Sequence, residues 1–400
     1  MIPIIPVSDT RPLAGEITLT GLRNPPPLSL YIHIPWCVRK CPYCDFNSHE
    51  SRNPIPETAY VDALIADLEQ ATPNIWGRKV RSIFFGGGTP SLFSAEAIDR
   101  ILSNVRALVQ LEYDAEITLE ANPGTFEAER FAGFKTAGVN RLSLGIQSFN
   151  EKHLKSLGRI HDAKEARNAA KHAIDIFGNV NLDLMYGLPE QTMEEALNDI
   201  QTAIDLGPTH ISAYHLTLEP NTPFYHKPPV LPDDDSSAEM QESIENLLGK
   251  HGYEHYETSA FAKHGKRCRH NLNYWLFGDY LGIGAGAHSK LSFHDHIMRQ
   301  SRTKQPNAYM KGTVDNTHID SERILEKEDF GFEFMMNALR LTEGFDITQF
   351  SATTGKSLIS IEAALRKAEQ KGLISRTPTH IAPTLLGQRF LNELLQLFMD

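Results

Sequence analysis

Cysteine is scarce here: the 400 residues hold four, Cys37, Cys41, Cys44 and Cys268. That count excludes a disulfide framework. With 41% hydrophobic residues the chain can fill a core without one. Excess positive charge is also lacking. Lys and Arg number 39 against 50 Asp and Glu, a net charge of −11. A general nucleic-acid binder needs a basic face, so no nucleic-acid partner is expected. No window holds the roughly 20 apolar residues of a membrane span. The start, MIPIIPVSDTRPL, has no basic n-region and too short an apolar run for a signal peptide. A soluble, cytoplasmic protein is expected. Long repeats and low-complexity tracts are absent. At roughly 100–200 residues per domain, the length allows two or three domains, or one barrel with an appendage.

Three of the four cysteines crowd into YIHIPWCVRKCPYCDF as C-x3-C-x2-C. In a reducing compartment such a cluster reads as metal or redox chemistry. A zinc knuckle is one reading, but zinc takes four closed ligands and no fourth is local. His49 or Cys268 would have to complete it. Three thiolates fit better with an iron–sulfur cube that keeps one iron open to a ligand.

Short apolar stretches with turn signals predict strands near Ser29–Ile34, Ser82–Phe85, Glu116–Glu120, Arg141–Ile146, Asn179–Met185 and Thr209–Leu216. Helical patterns lie between them. Val61, Leu64, Ile65 and Leu68 mark one over Tyr60–Gln70. A second spans Ala95–Leu108 with Ser94 as its cap, and a third runs from Ala163 to Ile176. Strand–helix alternation implies a parallel sheet with right-handed crossovers, here a partial barrel or curved open sheet. Active sites on such folds sit at the C-terminal ends of the strands. The polar candidates fall there: Cys37 after the first strand, Gly86–Pro90 after the second, Glu120, Gln147 and Asp183 at the next three. Pro220–Asp235, with five prolines, reads as a boundary or a strap across the barrel. A helix follows over about Ala238–Lys250. In the last 75 residues a helix over Ile361–Gln370, a hairpin over Leu373–Pro383 and a helix on Leu391, Leu394, Leu395 and Phe398 predict a winged-helix-like unit.

The cysteine spacing with Gly86–Pro90 resembles the radical S-adenosylmethionine (SAM) superfamily. The strings YIHIPWC, CPYCDFNSH, FFGGGTPS, EANPG, NRLSLGIQSF, LGR, NLDLMYGLP, YETSAFA and HNLNYW narrow this. They resemble the oxygen-independent coproporphyrinogen III oxidase-like family, and within it the HemW-type heme chaperones. The likeness runs from about Leu28 to the C-terminus. It implies an α/β fold: a partial (β/α)6 barrel, an α+β extension and the C-terminal unit. The expected division is an irregular arm over 1–27, the barrel over 28–235, the extension over 236–325 and the last unit over 326–400. It implies a [4Fe-4S] cluster on Cys37, Cys41 and Cys44. It implies SAM contacts at Tyr31, Tyr43, Gly87, Gly88, Thr89, Glu120, Gln147, Arg159 and Asp183.

Two departures separate the chain from the decarboxylating oxidases. Those carry a further cysteine two residues after the third cluster ligand, where this chain has Phe46, and they have a longer N-terminal region. In its place stands the H-N-x-x-Y-W string of the chaperone group. His270 suits an axial iron ligand, and Tyr274 and Trp275 offer flat surfaces to a porphyrin. Arg267 and Arg269 could pair with propionates. Cys268 is a second candidate iron ligand or else a buried thiol. Gly282-x-Gly284-x-Gly286 with His288 does not have the G-x-G-x-x-G order of a dinucleotide site. The expected function is a heme chaperone that passes heme to acceptor hemoproteins, membrane-bound respiratory enzymes among them, as a monomer or homodimer. The alternative is oxidative decarboxylation of coproporphyrinogen III. A zinc-stabilised binding module comes last, because it gives the glycine run and Glu120 no purpose.

Overall fold

The computed structural model describes Leu22, residues 24–124 and residues 127–399. The arm expected over 1–27 therefore lies largely outside the described residues. Six parallel strands follow one another in sheet order: β1 (Leu28–Ile34), β2 (Lys79–Gly87), β3 (Gln110–Ala121), β4 (Arg141–Gln147), β5 (Val180–Tyr186) and β6 (His210–His215). Helices α1 (Glu57–Ala71), α2 (Ala95–Leu108), α3 (Glu127–Ala137), α4 (Ala163–Phe177) and α5 (Met193–Leu206) make the crossovers. Ser94 caps α2 as its sequence implies, and two further caps join it. Ser94 accepts from the Ala97 N–H, and Asp162 and Thr192 form capping boxes with Glu165 and Glu195. Strands between helices bury both faces, which is why β1 reads LSLYIHI.

The sheet continues beyond the six. At the β1 edge come parallel β9 (Asp279–Ile283), then antiparallel β10 (His288–Ser292), β11 (Ile297–Arg302) and β12 (Ile319–Ile324). At the β6 edge come antiparallel β8 (Ala260–Ala262) and β7 (Glu254–Glu257). The full order is β12-β11-β10-β9-β1-β2-β3-β4-β5-β6-β8-β7. The extension thus shares the barrel's sheet. Its anchor is buried Asp67 on α1. Arg302 and His318 pair with that carboxylate at 3.0 and 3.1 Å, the Tyr309 hydroxyl donates at 2.9 Å, and the Gly284 N–H donates at 3.1 Å.

The stretch Pro220–Asp235 is a strap. The Phe224 N–H donates to the Pro42 carbonyl, and Phe224 and Leu231 pack on Leu157, Met185, Leu188 and Leu216 beside Tyr43. Helix α6 (Asp234–Lys250) follows, capped by Asp233. Helix α7 (Arg269–Trp275), which carries HNLNYW, packs on β2. The C-terminal unit has its own core. It combines α9 (Phe330–Ala338), α10 (Ile347–Thr354) and α11 (Glu362–Gln370) with a small sheet β13-β15-β14 (Phe345–Asp346, His380–Pro383, Ile374–Arg376). Here α8 denotes Pro306–Asp315. Among the described residues no helix is long and apolar enough to cross a membrane.

Candidate functional site

Trp36 and Cys37 leave β1 and pair in parallel with His49 and Glu50, closing a loop that carries Cys37, Cys41 and Cys44. All three thiols are free and partly exposed. The Thr89 hydroxyl lies 3.7 Å from Cys37 Sγ, and Arg159 Nη1 3.6 Å from Cys41 Sγ, both as donors. Burial pushes the Cys37 and Cys44 thiols up, against hydroxyl donors at Thr89 and Ser48 and the Phe46 N–H. Donors aimed at sulfur favour the thiolate form a metal needs. Among the described residues no three His, Cys, Asp or Glu side chains gather to hold a single ion. Neither proposed fourth zinc ligand joins the loop. His49 Nε2 lies 3.3 Å from the Lys304 carbonyl, and Cys268 is buried against Glu116, its thiol pushed up to about 12 by burial. Three thiols with supporting donors and no fourth side chain brought to them fit an iron–sulfur cube with one open iron better than a closed zinc site.

The glycine run at the end of β2 is a backbone surface. Gly87 has φ +117°, and a Cβ there would stand 2.5 Å from the His33 ring. A Cβ on Gly88 would stand 2.5 Å from the Trp36 carbonyl oxygen. Only glycine lets the strand end pass this close to the cysteine loop. The Gly87 N–H donates to Glu120 Oε2 at 3.2 Å. Burial, then neighbouring Asp183, push the Glu120 carboxyl up to about 8. Burial also raises Asp183, which accepts from Asn181 and Ser143. Two carboxyls held this way await a cationic or hydrogen-bond-donating ligand. Tyr31 stands above them and donates to His33 Nδ1 at 2.9 Å, because His33 Nε2 is spent on the Asn47 carbonyl.

Gln147 ends β4 at φ +64°, an uncommon conformation for a side chain of its size and one that clusters at functional sites. Beside it Arg159 Nη2 reaches the Gly145 carbonyl at 2.7 Å and Asn122 Oδ1 at 2.6 Å. Asn122 Nδ2 passes the contact on to the Thr89 hydroxyl at 2.8 Å. One chain of hydrogen bonds therefore runs from β4 through Arg159, Asn122 and Thr89 to Cys37. Asn122 was not foreseen. It follows Glu120 by two residues in EANPG, the spacing that puts both on one face. Tyr43 sits beside Cys41 and Arg159, half-buried against Phe224 of the strap.

Onto this rim opens a cavity of about 860 Å³. Tyr31, Gly87 and Glu120 form one part of its lining, Phe46 and His49 the loop wall, and Tyr274, His288 and Lys304 an adjoining wall that meets the loop at Lys304. His270 is behind that wall. It is 2% exposed, with Nδ1 3.1 Å from the Ser82 hydroxyl and Nε2 3.2 Å from the Tyr274 hydroxyl. Phe84 stacks on its ring at 4.9 Å. Burial lowers His270 to about 3, so its imidazole is neutral. Trp275 does not line the cavity; the Arg340 guanidinium lies 4.4 Å over its ring. The expected propionate partners are engaged elsewhere. Arg267 bridges Glu254 and Glu343, and Arg269 holds Glu112 and Asp114. Of the two fates for Cys268, the structure shows the buried thiol.

The family model of the Radical SAM superfamily matches residues 31–203, and that of the HemN C-terminal domain residues 325–390. The heme chaperone HemW of Escherichia coli K12 is 51% identical over 376 residues, 94% of this chain and 98% of that protein. This chain belongs to the HemW heme chaperone family. A HemW relative from Bacillus subtilis 168 is 33% identical over 93% of this chain and 99% of its own length. Among solved structures, coproporphyrinogen III oxidase (HemN) from Escherichia coli superposes with a TM-score of 0.79 at 23% identity, covering 95% of this chain and 92% of that one. That likeness shows the shared radical SAM α/β fold. The separation of HemW from HemN is then a matter of the site.

Proposed function

We propose that this HemW-family chain binds heme in the cavity between the cysteine loop and α7 and passes it to acceptor hemoproteins. The barrel rim beside that cavity holds a [4Fe-4S] cluster on Cys37, Cys41 and Cys44, with SAM against Gly87, Gly88, Thr89 and Glu120. When bound, the cluster supplies one open iron position that chelates the amino and carboxylate groups of SAM. The chain's own residues do the rest. Gly87 and Gly88 admit the ligand to the backbone, Glu120 and Asp183 meet its donors, and Tyr31, Gln147 and Arg159 complete the rim. Tyr43 lies on the strap side, where a flat adenine would pack.

The observation that carries the heme reading is the pair His270 and Tyr274. A neutral imidazole is the form that ligates iron. Its Nε2 is separated from the cavity by one hydroxyl, that of Tyr274, which itself lines the wall. Tyr274 is a gate: turning its ring exposes Nε2 to a porphyrin lying on the same wall. Trp275 contributes by holding the end of α7 against Arg340 rather than by touching heme.

Decarboxylation is the competing reading, and Phe46 weighs against it. The loop wall at that position presents an exposed phenyl ring in place of a thiol. The test incubates anaerobically reconstituted protein with SAM, a reductant and coproporphyrinogen III, and follows the products by chromatography. All propionates should remain. Appearance of vinyl groups with loss of carbon dioxide would replace the chaperone reading by the oxidase reading.

A further inference from the structure

The glycine motif before His288 is explained neither by a dinucleotide nor by the SAM rim. Its role is visible at Asn47, three residues after the last cluster cysteine. The Asn47 amide spends both N–H groups across the molecule, on the Ala285 carbonyl at 2.9 Å and the Lys304 carbonyl at 3.0 Å. Its backbone carbonyl accepts from His33 Nε2 at 2.9 Å, the histidine that holds Tyr31. Gly286 makes room: a Cβ there would stand 2.2 Å from Asn47 Nδ2. Gly284 does the same on the other side, where a Cβ would stand 2.4 Å from the His33 carbonyl oxygen. Tyr60 completes the joint by donating to the His33 carbonyl and accepting from the Ala285 N–H, each at 2.8 Å.

Three parts meet here: the end of β1 that faces SAM, the loop that carries the cysteines, and the wall formed by Gly286, His288 and Lys304. We propose that Asn47 is a positioning residue that locks the cluster loop to the adjoining wall of the cavity, so that the two move as one body. Cluster loading then reaches heme through this joint. Any state that fixes the cysteine loop also fixes that adjoining wall. Only an amide at position 47 serves, because two carbonyl acceptors need two donors from one planar group. An Asp side chain would present acceptors to acceptors.

The test uses Asn47→Asp and, in case that variant folds poorly, Asn47→Ala and Gly286→Ala. Amide hydrogen exchange is followed on the full chain without cluster or heme. The expected result is exchange at least about tenfold faster at both Ser48–His49 and Ala285–Gly286, with the amides of β3 and β4 unchanged. Faster exchange in the cysteine loop alone, with the adjoining wall unchanged, would overturn the proposal. A second readout rests on the heme reading. Heme affinity is measured with and without the reconstituted cluster. The parent should show a ratio of about fivefold or more, and the variants a ratio near one. An equal ratio in parent and variants would also overturn it. If the parent binds no heme, the heme reading fails while the exchange experiment still decides the role of Asn47.

Discussion

Glu120 shows how burial beside a like charge holds one residue against its own preference. Its carboxyl is buried beside a second carboxyl, Asp183, and stands near 8. The folded chain therefore binds a proton there that the unfolded chain, at the ordinary value of 4.5, has released by mid-range pH. Stability from this group is complete below 4.5 and is lost as pH rises to 8. Glu120→Gln keeps the shape and removes the charge. The ligand-free variant should be more stable than the parent at pH 8.5, by more than ~1 kcal/mol, and equal to it at a pH about one unit below the ordinary value of 4.5. Its affinity for SAM should fall at least about tenfold. Denaturant unfolding at the two pH values and equilibrium dialysis with cluster-loaded protein check both halves. A variant that is less stable at pH 8.5, or that keeps SAM affinity, would contradict the role given to Glu120.

At the scale of elements, the extension is held to the barrel by buried charge rather than by apolar contact alone. Burial would raise Asp67, but Arg302 and His318 overcome that and hold its carboxyl low. Asp67→Ala leaves the Arg302 guanidinium buried and unpaired, and strips partners from Tyr309 and the Gly284 N–H. The expected cost is about 3–5 kcal/mol, read by urea unfolding. The loss should be larger than that for a surface pair such as Arg100 with Asp62, where at most ~1 kcal/mol is at stake. Asp67 also marks the limit of what the sequence discloses. The six barrel strands and their glycine and carboxylate ends were legible, because parallel strands write themselves as short apolar runs and polar residues cluster at their ends. The residues that join distant segments were not. Asp67 meets Arg302 across 235 positions, Glu116 meets Cys268 across 152, and Asn47 meets Ala285 across 238. Asp67 and Glu116 stand in no local period or motif, and Asn47 lies in CPYCDFNSH without any sign there of its partner, which only the folded sheet sets. Glu116 is the clearest case. It accepts from Cys268 Sγ and from the Arg269 and His270 N–H groups, and so seats the whole of α7. The string HNLNYW could be recognised, yet nothing in it says that His270 would lie behind Tyr274.

The whole molecule places the radical SAM barrel rim and a cavity of about 860 Å³ on a single continuous sheet. Tyr31, Gly87 and Glu120 belong to both, and the cysteine loop, which carries the three thiols, forms a further wall of the cavity. The coproporphyrinogen III oxidase HemN shares this fold. The central claim is that heme enters this cavity and reaches His270 past Tyr274. The most direct measurement is a heme titration of anaerobically reconstituted protein, followed by absorbance, on the parent, His270→Ala and Tyr274→Phe. The account predicts saturable binding in the parent and an altered Soret band with at least about tenfold weaker binding in His270→Ala. It predicts binding as tight or tighter in Tyr274→Phe, where no hydroxyl occupies Nε2. A His270→Ala variant with the parent's Soret band and affinity would contradict it.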